Sequence, residues 1–123
     1  RIGGVKTVSC IFCKIIEGEI PSQKVYEDEK VIAFNDINPV APYHILVVPK
    51  KHYESIIDIN ENEMEIVSHI HNVINKIASE KGFDKAGFRI INNCGNDGGQ
   101  EVKHLHYHVL AGKKLPLYEA ENK

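Results

Sequence analysis

The segment His104-Leu105-His106-Tyr107-His108-Val109-Leu110 sets three imidazoles in strict alternation with apolar residues. In an extended strand alternate side chains share a face. The three rings would then project one way at intervals of about 6.5 Å, while Leu105, Tyr107 and Val109 project the other. One face packs and the other is left for chemistry. Clustered imidazoles serve two chemistries. Three of them can hold a catalytic zinc with one position open. Alternatively, a neutral ring nitrogen attacks an electrophile, and a covalent intermediate divides one hard step into two while the neighbouring imidazoles orient the ring or donate to developing charge. The preceding loop, Asn93-Cys94-Gly95-Asn96-Asp97-Gly98-Gly99-Gln100, bears on the choice. Its glycines allow positive φ and close backbone approach, and successive N–H groups in such a turn form an anion-binding nest. A phosphate fits that setting; the plainer reading is a hairpin turn.

A second constellation is Cys10-x-x-Cys13, a spacing that lets two thiolates share a tetrahedral metal. Two half-buried thiols near a helix start, or a redox pair, are the competing readings. The segment lacks the βαβ context of thioredoxin-like chemistry, which lowers the redox reading. With three cysteines in all and no leader of the charged-then-apolar type, a secreted disulfide framework is disfavoured, and a reducing cytoplasm is the expected compartment.

The elements that must position these groups follow from periodicity. Ile11, Phe12, Ile15 and Ile16 suit a short helix over Cys10 to Glu17, ended by Gly18 and Pro21. Lys24 to Glu27 and Val31 to Asp36 read as a hairpin around Asp28, and His44 to Pro49 as a strand covered on both faces. Asn60 followed by Glu63 resembles a capping box. Behind it Met64, Val67, Ile70, Ile74, Ile77 and Ala78 recur at helical spacing as far as Gly82, one long helix of roughly 30 Å. His69 and His71, two apart on that helix, do not share a face and are expected at the surface. Phe88 to Asn92 and Leu105 to Ala111 read as the last two strands. Helix, hairpin, strand, long helix, strand, strand is not the regular alternation of a doubly wound sheet. The expected class is α+β, with a mainly antiparallel five-stranded sheet, one long helix and a short N-terminal helix.

The chain of 123 residues is the length of one domain that can bury a core without disulfides. Residues 1–9 are expected to be an N-terminal extension outside the fold, and 10–123 a single domain with a short C-terminal tail. Fifteen basic against seventeen acidic residues give a net charge of −2 without a long Lys/Arg run. That balance argues against gripping nucleic acid or an anionic membrane. The longest apolar stretch, Ile45 to Val48, is far short of a bilayer span.

His104 to Leu110 resembles the signature of the histidine triad family of nucleotide hydrolases and transferases. The similarity extends to Cys10-Ile11-Phe12-Cys13-Lys14-Ile15-Ile16, Gly18-Glu19-Ile20-Pro21, Ala33-Phe34-Asn35-Asp36-Ile37, His44 to His52 and Gly98-Gly99-Gln100, in family order over residues 10 to 112. The Gly-Gly-Gln loop and short tail look most like the purine nucleoside phosphoramidase branch, the histidine triad nucleotide-binding proteins. The resemblance implies that His106 attacks the α-phosphorus of a purine nucleoside 5′-phosphoramidate or related nucleotide, giving a nucleotidyl-histidine that water hydrolyses. His108 would contact phosphate oxygens and His44 would support the array. Asp36 would take the ribose hydroxyls; Ile11, Phe12, Ile15, Phe34, Ile37 and Leu46 would line the base pocket. Asn93, Gly99, Gln100, Glu101 and Val102 would surround the phosphate.

At the position after Gly-Gly-Gln, where the branch usually has Ser or Thr near phosphate and leaving group, this chain has Glu101. It is expected either to swing outward or to donate a proton. The resemblance further implies a Cys2His2 structural zinc on Cys10, Cys13, His52 and His104, no metal in catalysis, and a homodimer through the long helix and the strand of Phe88 to Asn92. Dinucleoside polyphosphate hydrolysis or nucleotidyl transfer, a zinc hydrolase built on the triad, and a nucleotide-binding module with incidental catalysis are the alternatives.

Overall fold

The structure, a computed structural model, describes residues 10–117; the expected extension 1–9 and the tail residues 118–123 lie outside the described residues. Among the described residues five strands form one sheet: β1 (Lys24–Glu27), β2 (Val31–Asn35), β3 (Tyr43–Pro49), β4 (Phe88–Ile91) and β5 (Tyr107–Ala111). Their order is β1-β2-β3-β5-β4, with every neighbouring pair antiparallel. Helix α1 (Ile11–Ile16) and the long helix α2 (Glu65–Lys81) complete the α+β domain expected from the sequence. Among the described residues no helix is long and apolar enough to cross a membrane.

Period-two alternation in β2, β3 and β5 divides the core between the two faces of the sheet. On one face Val31, Ala33, Ile45, Val47, Leu105, Tyr107 and Val109 pack with Ile70, Val73, Ile74 and Ile77 of α2. Each of those helix isoleucines is essentially solvent-free, which stabilises the fold by about 1.5–3 kcal/mol per side chain relative to exposure. On the other face Ile32, Phe34, Leu46 and Val48 pack with Phe12, Cys10 and Cys13. Burial on both faces explains why β3 reads as an unbroken apolar run.

The long helix starts later than its sequence suggests. Asn60 caps a 3-10 turn over Glu61–Glu63, accepting from the Asn62 N–H at 3.1 Å, and α2 begins only at Glu65. The carboxylate of Glu63 pairs with Lys51 of another segment. The capping box is thus half made, with its acidic member used in tertiary structure. At the other end Gly82 takes the left-handed conformation, φ +86°, that a side chain would strain, and its N–H caps the Ala78 carbonyl at 2.9 Å. His69 is partly exposed, in keeping with a surface position, and its Nε2 lies 2.8 Å from Asp28 Oδ2, which ties α2 to the β1–β2 turn. His71, though exposed, meets the Tyr107 ring edge-on with centroids 5.5 Å apart.

The last strand is also shorter than the expected Leu105 to Ala111. Its ladder with β3 stops at the Val47–Tyr107 pair. The next positions on β3 lead to Pro49, which has no N–H to give, and the Leu105 N–H donates instead to the Tyr53 carbonyl at 2.7 Å. His104 and His106 therefore stand on irregular chain ahead of the strand, and only His108 lies within it.

Candidate active site

On the α1 face of the sheet, β3 and β5 place Leu46 opposite His108 and His44 opposite Leu110, so His44 and His108 are diagonal neighbours on one face. The Val40 N–H donates to His44 Nδ1 at 3.2 Å, which puts the hydrogen of the neutral ring on Nε2. That Nε2 lies 2.9 Å from His108 Nδ1 and 3.3 Å from Asp36 Oδ2. His108 accordingly accepts on Nδ1 and carries its own hydrogen on Nε2. His106 Nδ1 donates to the His104 carbonyl at 2.7 Å, leaving Nε2 as the lone-pair nitrogen of that ring.

Burial pushes the His106 imidazole below its ordinary range, against the opposing pull of its bond to the His104 carbonyl and the charges of Asp36 and Glu101. Burial, then the nearby His106 and His44 rings, lower His108 to about 4. His44 is lowered by burial too, with Asp36 working the other way. All three rings are neutral at neutral pH, and a neutral ring is what a nitrogen nucleophile requires.

These rings border a cleft of about 580 Å³. Its lining combines apolar side chains, Ile11, Phe12, Ile15, Phe34, Ile37 and Leu46, with a second group made of Asn93, Gly99, Glu101, Val102, His106 and His108. Asp36 also lines it, beside His44. Ile37 and Val40 are 90% and 62% exposed, unusual for large apolar side chains, and both stand on the cleft's rim. Phe12 differs from the other apolar residues. It is buried, with its ring edge-on to His106 at 5.0 Å and to His104 at 6.0 Å, so it acts as a spacer between two sites.

Gln100 does not line the cleft. Its amide spans the loop, accepting from the Gly95 N–H at 2.9 Å and donating to the carbonyls of Glu54 and Val102 at 2.6 and 2.9 Å. It braces the turn that presents Gly99 and Glu101. Within that turn a Cβ at Gly98 would stand 2.4 Å from the Cys94 carbonyl oxygen, and Gly99 has φ +81°. Both positions need glycine for the turn to close.

Sequence reasoning missed Val40, Ile20, Ile91 and Asn92. The first three line the cleft. Asn92 donates through Nδ2 to the His106 carbonyl at 3.0 Å and so fixes the backbone of the central ring. An exposed Val40 between two prolines was a readable signal; the role of Asn92 depends on pairing between β4 and β5 and was not.

His104 takes no part in the cleft. Its ring is fully buried, with Nε2 donating to the Pro49 carbonyl at 2.8 Å, which leaves Nδ1 as an acceptor. Cys10 Sγ and Cys13 Sγ lie 3.3 and 3.5 Å from that Nδ1, and Cys13 Sγ is 3.2 Å from His52 Nδ1. The four ligand atoms are mutually within 4.8 Å. Zinc at about 2.3 Å from sulfur and 2.0–2.1 Å from nitrogen gives sulfur–nitrogen edges of about 3.6 Å in a tetrahedron, so the donor set fits a closed Cys2His2 centre. Burial, and then the neighbouring Cys10, push the Cys13 thiol up to about 12, so that thiol ionises only against a cation held there.

A protein-family model described as scavenger mRNA decapping enzyme C-term binding matches residues 9–122 of this chain. A HIT-like protein of Buchnera aphidicola subsp. Baizongia pistaciae is 50% identical over 105 residues, which is 85% of this chain and 94% of that one. Among solved structures, a histidine triad protein from Clostridium difficile is 81% identical with a TM-score of 0.88, covering 89% of this chain and 96% of its own. A HIT family hydrolase from Legionella pneumophila is 42% identical with a TM-score of 0.85, covering 88% and 96%.

Proposed function

The chain belongs to the histidine triad family, and from that premise we propose that it hydrolyses purine nucleoside 5′-phosphoramidates through a covalent nucleotide on His106. The observation that carries the reading is the 2.7 Å bond from His106 Nδ1 to the His104 carbonyl. It holds the ring in the tautomer whose Nε2 lone pair is available to phosphorus, in a ring that burial keeps neutral.

In the first step the bond from His106 Nε2 to the α-phosphorus forms and the phosphorus–nitrogen bond to the amine breaks. The amine nitrogen takes up a proton from solvent. Water then attacks phosphorus, its oxygen stays on the nucleotide, and the imidazole is released. The balance is one water consumed for one nucleoside monophosphate and one amine. His108 Nε2–H donates to a phosphoryl oxygen; the Gly99 and Gln100 N–H groups are spent inside the turn on the Asn96 and Gly95 carbonyls, so the turn shapes the polar lining instead of binding the anion through those amides. Asp36 accepts from the Asn38 N–H at 2.8 Å through Oδ1 and faces His44 through Oδ2, leaving acceptor sites for ribose hydroxyls. The exposed Ile11, Ile37 and Val40 close on the base. The Cys2His2 cluster, loaded with zinc, holds α1 and the segment before β5 together and leaves catalysis to the rings.

The test is mass spectrometry after brief mixing with adenosine 5′-phosphoramidate. A nucleotide-sized adduct on His106, absent from His106→Ala, is the expected result. Turnover by wild type with no adduct at any mixing time would overturn the covalent route.

A further inference from the structure

The cleft does not end at Glu101. A second groove, lined by Cys10, Ile11, His52, Tyr53, Glu54, Asp58, Glu101, Val102 and Lys103, shares Ile11, Glu101 and Val102 with it. Glu101 is exposed and stands where the two meet. Glu101 stands close enough to His106 for its charge to act on that ring, so a group leaving phosphorus at His106 has this junction within reach. Whatever is attached to the departing nitrogen extends past Glu101 into the second groove.

The charge along that path is mostly negative. The acidic residues Glu54, Asp58 and Glu101 line it, with Lys103 of opposite charge and His52 turned to the sulfur of Cys13. Asp58 accepts from the Ser55 hydroxyl at 2.9 Å, and the Glu54 carbonyl takes the Gln100 amide, so the segment carrying two of these carboxylates is fixed relative to the Glu101 turn.

We propose that Glu101 is a specificity-determining residue, selecting phosphoramidates whose leaving amine carries a second, cationic group and disfavouring leaving groups with added negative charge, polyphosphates among them. This rests on the reaction proposed above and names its substrate class. An ammonium two or three carbons beyond the departing nitrogen falls among the three carboxylates. A carboxylate or phosphate at the same distance meets like charge, unfavourable both in binding and in the transition state.

The test is kcat/KM for three adenosine 5′-phosphoramidates of matched length, with propylamine, 1,3-diaminopropane and β-alanine as the amines. Wild type should prefer the cationic leaving group over the anionic one by about tenfold at low salt, a preference that shrinks as ionic strength rises. Glu101→Gln should compress that ratio to about two or threefold, Glu101→Lys should invert it, and Glu54→Gln should reduce it in part. A flat series in wild type, with the propylamine compound still turned over through the His106 adduct, overturns the inference and leaves the reaction standing. A ratio that survives Glu101→Lys assigns the preference elsewhere and overturns it as well. If none of the three is turned over, the reaction itself is wrong and the inference falls with it.

Discussion

His44 donates from Nε2 to His108 Nδ1 across 2.9 Å between the adjacent strands β3 and β5. Because the Val40 N–H occupies the other His44 nitrogen, the direction of this bond is fixed from the backbone outward. His44→Ala removes the donor and frees the His108 tautomer. A neutral hydrogen bond is worth about 1–1.5 kcal/mol, so kcat for adenosine phosphoramidate should fall roughly tenfold while the His106 adduct still forms. An effect on KM with kcat intact would mean that His44 only shapes the pocket.

Acidification should act on stability and activity together. The unfolded imidazoles protonate near their ordinary value of 6.5, whereas His108 in the native protein waits until about 4. Between those limits the unfolded state binds more protons, so stability is complete above pH 6.5 and declines as pH drops toward 4. Urea midpoints at several pH values should trace that decline, and His108→Gln should flatten it. The acid limb of kcat/KM should likewise have its midpoint below 6.5, since the rings must be neutral to work; a midpoint above 6.5 would contradict the burial argument.

Periodicity made most of the frame legible. The unbroken apolar run of β3 and the three- and four-residue spacing of α2 report burial on both faces of the strand and on one face of the helix, and burial decides these elements. What the sequence could not convey was competition for single backbone groups. Pro49 ends the ladder and sends the Leu105 N–H to Tyr53, so the triad straddles the start of a strand instead of lying within it. The resemblance implies a phosphate contact at Gln100, but its side-chain amide is consumed by Gly95, Glu54 and Val102 and its backbone N–H by the Gly95 carbonyl. The split of the triad, with His104 turned to the cysteines and His106 and His108 to the cleft, depends on Phe12 standing between the rings.

The Cys10, Cys13, His52 and His104 cluster should hold zinc as isolated, at one ion per chain by elemental analysis. Stripping it with a chelator should lower the melting temperature by several degrees before activity is lost, because the four side chains that would share the ion come from α1, the segment after β3 and the chain ahead of β5. Cys13→Ser should do the same without chelator. Activity vanishing at once, with the melting temperature unchanged, would move the metal into the reaction.

Strand β4 is an edge of the sheet, paired on one side with β5, and all four of its residues are half-buried. An open edge of that kind is a template for pairing with a second copy. Sedimentation at micromolar concentration should give twice the 13.9 kDa chain mass. A monomer under those conditions would leave the edge to the short length of the strand.

Asp28 offers a stability test far from the cleft. Its Oδ1 accepts from the Lys30 and Val31 N–H groups at 2.8 and 2.9 Å, and its Oδ2 meets the Tyr26 hydroxyl at 2.7 Å and His69 at 2.8 Å. Burial alone would push this carboxyl up; the four partners outweigh it and hold it well below the ordinary carboxylate range. The sign follows: its contribution is complete above the unfolded value near 3.8 and is lost as pH falls toward the native one. Asp28→Asn should cost about 1–3 kcal/mol at pH 7, His69→Ala less, and the double variant less than their sum because the two share one contact. Urea unfolding of all four proteins measures this directly. Strict additivity would mean that His69 does not feel Asp28 and that the tether between α2 and the hairpin contributes nothing.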